Sequence, residues 1–230
     1  MIPFAKRVLK RLFNKFGYII LSDTVLSEEV PNMASPDLNQ KMLDNCRMMA
    51  SRELILSHLP KGGIMAEIGV ASGYFTRHIL DQLHPDQLYA IDLYDYHLSK
   101  NKDQSHEELF QERFNSEINQ GIVHMKKGLS WEVLETFPDA YFDYIYLDAD
   151  HTYESVVKDL SVIKRKIKPS GILQCNDYTT FNPIALMGFG VQRAVNEFML
   201  AENYEMIYYS LNRQNFCDVV IRKMPDGSLN

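Results

Sequence analysis

The segment Ile64-Met-Ala-Glu-Ile-Gly-Val-Ala-Ser-Gly73 constrains this chain most. A short apolar run meets an acid, then two glycines with three residues between them, and a helical pattern begins. Such a turn lets the backbone approach a ligand closely, because glycine has no side chain in the way, and the helix start then offers free N–H groups to an anion. Leu88-Tyr-Ala-Ile-Asp92 repeats the theme of an apolar strand ending in a carboxylate, at a spacing where an acid holds the hydroxyls of a ribose. Together the two strand ends outline a nucleotide-cofactor site. The dinucleotide pattern G-x-G-x-x-G is not met, since Ala71 stands at its second glycine and no glycine follows Gly73 at the required step. That argues against a nicotinamide-dependent oxidoreductase, which stays the alternative enzyme class beside a non-catalytic cofactor-binding scaffold.

From this turn onward the chain alternates. Strands are predicted at 64–69, 88–92, 122–126, 142–147 and 171–176, with helices at 73–83, 105–119, 130–136, 153–167 and 189–202. Apolar strands separated by amphipathic helices imply an α/β, doubly wound, mostly parallel sheet covered on both faces. Two last strands, 204–210 and 216–222, flank the polar loop Leu211-Asn-Arg-Gln-Asn215, which is too short for a crossover and forces an antiparallel hairpin. The sheet therefore has seven strands. Upstream, Leu38 to Leu59 reads as a helix ended by Pro60-Lys-Gly-Gly63.

With 230 residues, 46% of them hydrophobic, one core folds without disulfide staples. Cys46, Cys175 and Cys217 are odd in number and scattered, which implies reduced thiols in a cytoplasmic setting. No apolar run approaches the roughly 18 residues needed to cross a bilayer. The net charge of -6 hides a basic opening, where Lys6, Arg7, Lys10, Arg11 and Lys15 interleave with Phe4, Val8, Leu12 and Phe16. Residues 1–36 thus form a basic amphipathic helix and connector, and 37–230 the main domain. Such a helix docks on the body or on a second subunit, making a homodimer, or rests peripherally on anionic lipid. The body is acidic and carries no basic stripe, so no nucleic-acid partner is expected.

Five parallel strands and a closing hairpin resemble the class I S-adenosylmethionine-dependent methyltransferase fold, over about residues 40–223. The resemblance implies S-adenosylmethionine as cofactor. Glu67, Gly69, Ser72, Gly73 and Tyr74 match the positions that hold its methionine part, Asp92 its ribose, and Lys127-Gly-Leu-Ser130 its adenine through Gly128, Leu129 and Ser130, with Trp131 as a wall. Asp148 can hydrogen-bond the cofactor's amino group.

A second constellation follows the fourth and fifth strands, where Asp148, Asp150 and His151, then Asn176 and Asp177, reach one sheet edge. The run from Asp143 to Leu160 resembles macrocin-type sugar O-methyltransferases and, more distantly, catechol-type enzymes. That resemblance implies a divalent cation, magnesium above all, on Asp148, Asn176 and Asp177, oxygen ligands that suit a hard ion. The competing reading has Asp150 or Thr152 merely capping the helix that follows. His151 is the expected general base, since imidazole titrates near neutrality, and Asp148 its catalytic companion. The acceptor is then a small-molecule or glycan hydroxyl, in a pocket shaped by residues 93–102 and 177–190.

Overall fold

The strands that read as continuous apolar runs are buried on both faces. In the computed structural model, which describes residues 34–94, 104–182, 187–211 and 217–225, they form one eight-stranded sheet. Its strands in chain order are β1 (Arg47–Met49), β2 (Ile64–Ile68), β3 (Gln87–Asp92), β4 (Val123–Lys127), β5 (Phe142–Leu147), β6 (Ile167–Cys175), β9 (Tyr204–Ser210) and β10 (Val219–Lys223), while β7 (Phe181–Asn182) and β8 (Met187–Gly188) pair with each other apart from it. The order across the sheet is β1-β9-β10-β6-β5-β2-β3-β4, with β10 antiparallel to both its neighbours and every other pair parallel. From β2 the chain builds outward through β3 and β4, then returns to lay β5 and β6 on the other side. The order therefore reverses between β2 and β5, and a cleft opens at their carboxyl ends, where such sheets take ligands.

Side-chain alternation divides the core. Met65, Leu88, Ala90, Tyr144 and Tyr146 face one side and pack on α1 (Arg52–Leu56), α2 (Tyr74–Leu83) and α3 (His106–Arg113) through Ile55, Ile79 and Phe110. Ala66, Ile68, Ile91, Ile145 and Leu147 face the other and pack on α5 (Ser130–Glu135), α6 (Tyr153–Lys166) and α7 (Val191–Glu202). Both faces are covered, as parallel sheets require.

Three local readings change. Leu38–Leu59 is not one helix: it holds a short 3-10 turn (Gln40–Met42), strand β1 and α1. Polar side chains bend the backbone there, with Asn39 accepting from Lys41 N–H, Asn45 reaching Glu205 at 2.7 Å, and Ser51 capping α1 through Leu54 N–H. Arg47–Met49 then pairs with Tyr208–Ser210 of β9 and becomes the eighth strand. Helix 105–119 breaks at fully buried Phe114 into α3 and α4 (Asn115–Asn119). The fifth core strand begins earlier, at Ile167, because Ile167 pairs with Phe142. The closing hairpin forms, although 212–216 of its loop lie outside the described residues. So do residues 1–33, which carry the predicted amphipathic helix with its lipid and dimer readings. Among the described residues no helix is long and apolar enough to cross a membrane.

Candidate functional site

The cleft at the β2/β5 switch holds a cavity of about 600 Å³. Its floor depends on Gly69, whose φ of +82° turns the chain just after β2, and where an added Cβ would lie 1.9 Å from the carbonyl oxygen of Asp148. Only glycine permits this approach. The ends of the two strands are tied by Asp148 N–H to Ile68 O, and β2 to β3 by Gly69 N–H to Ile91 O, both at 2.8 Å. Ala71 also takes a left-handed conformation, with φ of +47°, where its Cβ is disfavoured.

Nine of the ten predicted cofactor residues line this cavity: Glu67, Gly69, Ser72, Tyr74, Asp92, Gly128, Leu129, Ser130 and Asp148. The tenth, Gly73, sits beneath it, and a Cβ there would strike the Phe114 ring at 2.2 Å, so Gly73 lets the start of α2 pack down. No side chain caps the N-terminus of α2, which leaves its first N–H groups for a ligand. Asp92 does more than face the cavity. One of its oxygens accepts from Val70 N–H at 2.8 Å and Ala71 N–H at 2.9 Å, and the other from Tyr94 N–H at 2.7 Å. The carboxylate thus braces the turn while Oδ1 keeps a lone pair for a hydroxyl. Trp131 is part of the wall, with the Lys158 ammonium 4.8 Å from its ring centroid.

The cavity is acidic. Glu67 is 1% exposed, its Oε2 has no partner among the described residues, and burial pushes it up to about 8. A buried carboxyl oxygen without a partner, beside an open cleft, fits a cationic ligand, and the ammonium and sulfonium of S-adenosylmethionine are such groups. Two further cavity groups were not singled out from the sequence. Asp159 of α6 accepts from the Ser130 hydroxyl, and burial raises it to about 6. It was legible as an acid on the apolar stripe of Val156, Leu160 and Ile163. Arg52 left no such signal, because the long-helix reading gave it no place at the sheet edge.

Beyond Asp148 lies the second cluster. Asn176 donates its amide to Asp148 Oδ1 at 2.9 Å, while Arg52 donates to Asn176 Oδ1 at 2.9 Å and to the Tyr146 hydroxyl at 2.8 Å. His151 Nε2 stands 3.2 Å from Asp177 and 3.5 Å from Asp148, off the line of a good hydrogen bond but near enough to pair as a charge. Its ring stacks on Phe189 at 4.6 Å, and Gly190 N–H holds its carbonyl at 2.8 Å. Burial opposes the imidazolium, yet Asp148, Asp177 and Asp150 together raise His151 above its usual value. Asp177, held at φ of +53°, is pushed by burial up to about 6, against the pull of His151.

The expected cation site on Asp148, Asn176 and Asp177 does not fit this arrangement. The Asn176 oxygen that a metal needs accepts from Arg52, its amide N–H donates to Asp148, and His151 stands between Asp148 and Asp177. Among the described residues no group of three His, Cys, Asp or Glu side chains is placed to hold a metal ion. Asp150 closes the turn before α6, accepting from Thr152 N–H at 2.9 Å and from the Ser155 hydroxyl at 3.0 Å, but no side chain caps the helix itself, so the expected capping by Asp150 or Thr152 is not seen. Of the predicted acceptor loops, 95–103 and 183–186 lie outside the described residues, and Tyr178 is buried with its hydroxyl on Asn196.

The reversed strand order, the closing hairpin and an acidic cavity at the switch point define a Rossmann-like, nucleotide-cofactor transferase fold. Residues 66–178 match the family model described as a methyltransferase domain, which supports S-adenosylmethionine-dependent methylation, and the fold is that of Rossmann-like methyltransferases. Solved structures agree on the fold. The 1,6-didemethyltoxoflavin-N1-methyltransferase of Burkholderia thailandensis, with S-adenosylhomocysteine bound, is 16% identical, with a TM-score of 0.54 over 75% of this chain and 76% of that one. The B. subtilis tRNA methyltransferase TrmK is 14% identical, with a TM-score of 0.53 over 77% and 67%. The precorrin-6y C5,15-methyltransferase of Geobacter metallireducens is 14% identical, with a TM-score of 0.51 over 75% and 85%. A search of curated proteins returns no significant match.

Proposed function

We propose that this methyltransferase acts on a hydroxyl oxygen of a small molecule or glycan, with His151 as the general base. The observation that carries the reading is the position of Asp148. It lines the cofactor cavity and also lies 3.5 Å from His151, which in turn lies 3.2 Å from Asp177. A base therefore stands one side chain away from the methyl donor's site, the separation an acceptor hydroxyl needs to span.

When bound, the cofactor supplies an electrophilic methyl group on a sulfonium. The protein's share is alignment and proton removal. Glu67 receives positive charge at the methionine end, the uncapped start of α2 offers N–H groups to negative charge, and Asp92 keeps a lone pair for a ribose hydroxyl. His151 accepts the acceptor's proton at Nε2, and Asp177 and Asp148 stabilise the imidazolium that results. Phe189 and Gly190 fix the ring and backbone of His151, so the base does not swing. No step runs through a metal, and turnover is expected to survive chelation.

The test is formation of S-adenosylhomocysteine, followed by mass spectrometry, against panels of sugars, phenols, amines and tRNA. Turnover with hydroxyl acceptors that falls by about 10²-fold or more in His151→Ala supports the reading. Turnover only with amines or RNA, or a His151→Ala rate near wild type, overturns it.

A further inference from the structure

We infer that Arg52 binds the α-carboxylate of the methyl donor and so pairs with Glu67 to read the donor's amino-acid end. The inference rests on the methyltransferase reading and names a residue it does not use. Among the described residues lining the cavity, Arg52 is the only lysine or arginine, against five acids: Glu67, Asp92, Asp148, Asp150 and Asp159. One cation in so acidic a cleft matches a ligand that carries positive charge together with a single carboxylate.

The guanidinium is held but not spent. Its hydrogen bonds, to Tyr146 at 2.8 Å and to Asn176 at 2.9 Å, both leave from Nη1 and both end on neutral groups. Its approaches to carboxylates, Asp148 and Glu53, are each 3.6 Å, beyond hydrogen-bond length. Nη2 makes no hydrogen bond among the described residues, and a guanidinium offers paired donors that fit a carboxylate side by side. The side chain cannot wander, because the Phe75 ring lies 4.9 Å beneath its central carbon and Phe75 stacks on Tyr146 at 4.0 Å. Phe75 and Glu67 line the same cavity, so a buried carboxyl and a guanidinium are available to the ammonium and the carboxylate of one amino acid.

The arrangement also joins two sites. The atom Nη1 that fixes Asn176, and through it Asp148, belongs to the same guanidinium whose Nη2 makes no hydrogen bond among the described residues. A donor carboxylate on Arg52 steadies the end of the acceptor cluster, so the donor is expected to bind first.

Calorimetric titration of the full chain with S-adenosylhomocysteine and with its decarboxylated analogue, the 3-aminopropylthio nucleoside, isolates the carboxylate. The wild type should favour the carboxylated ligand by about 10- to 100-fold. In Arg52→Gln that preference, read as the ratio of the two affinities within the variant, should fall to within about threefold. A folding defect weakens both ligands alike and does not move the ratio. Arg52→Lys, which keeps the charge but offers no fork, should retain part of the preference and serves if the glutamine variant is unstable. A preference that survives in Arg52→Gln, or its absence in the wild type, overturns the inference and leaves the carboxylate on the N-terminus of α2. Failure of the wild type to bind either nucleoside overturns the methyltransferase reading and this inference with it.

Discussion

Replacing Gly69 and Gly62 separately by alanine distinguishes backbone strain from close approach. Both glycines have left-handed φ, +82° and +75°, but a Cβ at Gly62 meets nothing within 4 Å, whereas at Gly69 it falls 1.9 Å from Asp148 O and 2.8 Å from Ala149 Cα. A left-handed alanine costs about 1–2 kcal/mol, and loss of glycine's unfolded-state freedom returns about 0.4–1, so Gly62→Ala should destabilise by about 1 kcal/mol. Gly69→Ala carries the same term and must also part β2 from β5 by more than an ångström, against the bond from Asp148 N–H to Ile68 O. Backbone collisions in a buried sheet belong to the severe class, so about 3 kcal/mol or more is expected. At this chain length that converts to a Tm lower by about 2–4 °C for Gly62→Ala and by about 6–12 °C for Gly69→Ala. Urea unfolding followed by the fluorescence of Trp131, the only tryptophan in the sequence, measures both. Because Trp131 lines the cavity, the same signal reports S-adenosylhomocysteine binding, which Gly62→Ala should leave intact and Gly69→Ala should abolish. Equal destabilisation of the two variants, or wild-type ligand affinity in Gly69→Ala, would refute the claim that the strand crossing builds the site.

Ala71→Gly relieves a left-handed alanine at φ of +47°, and its net gain of about 0.5–1 kcal/mol should appear as a slightly higher Tm in a thermal scan. Glu67 is raised by burial from 4.5 to about 8, so the folded state holds a proton that the unfolded state releases first. Stability from this group is therefore present below about pH 4.5 and lost as pH rises toward 8, and Glu67→Gln should flatten that decline by a few kcal/mol in urea titrations, on the order set by the shift. If His151 is the base, kcat/KM rises with pH through its raised pKa, which lies above 6.5. Asp177→Asn removes one of the charges holding that value up, so the acid limb of the pH–rate profile should move to lower pH; an unmoved or higher limb contradicts the assignment.

The sheet and its ligand edge were legible in the chain because apolar strands and amphipathic helices differ in period, and the loop at 211–215 is too short for a crossover. Gly69, Asp92, Asp148 and Ser130 could be placed for the same reason: each follows a strand, and parallel strands deliver their ends to one rim. The stretch from Leu38 to Leu59 was not legible. Its apolar spacing suits a helix, but side chains such as Asn45, bonded to Glu205 far along the sequence, draw it onto the sheet edge as β1. That long-range pairing also brings Arg52 over the cleft, a placement that no local pattern contains. The expected metal ligands show the same limit from the other side. Asp148, Asn176 and Asp177 do converge, but which atom each turns inward was settled by Arg52 and His151, which arrive from other elements. Local sequence fixes periodicity and backbone freedom, since these act between near neighbours. Charge pairing and hydrogen-bond direction within the cleft depend on groups brought together from distant parts of the chain, and only the tertiary structure decides them.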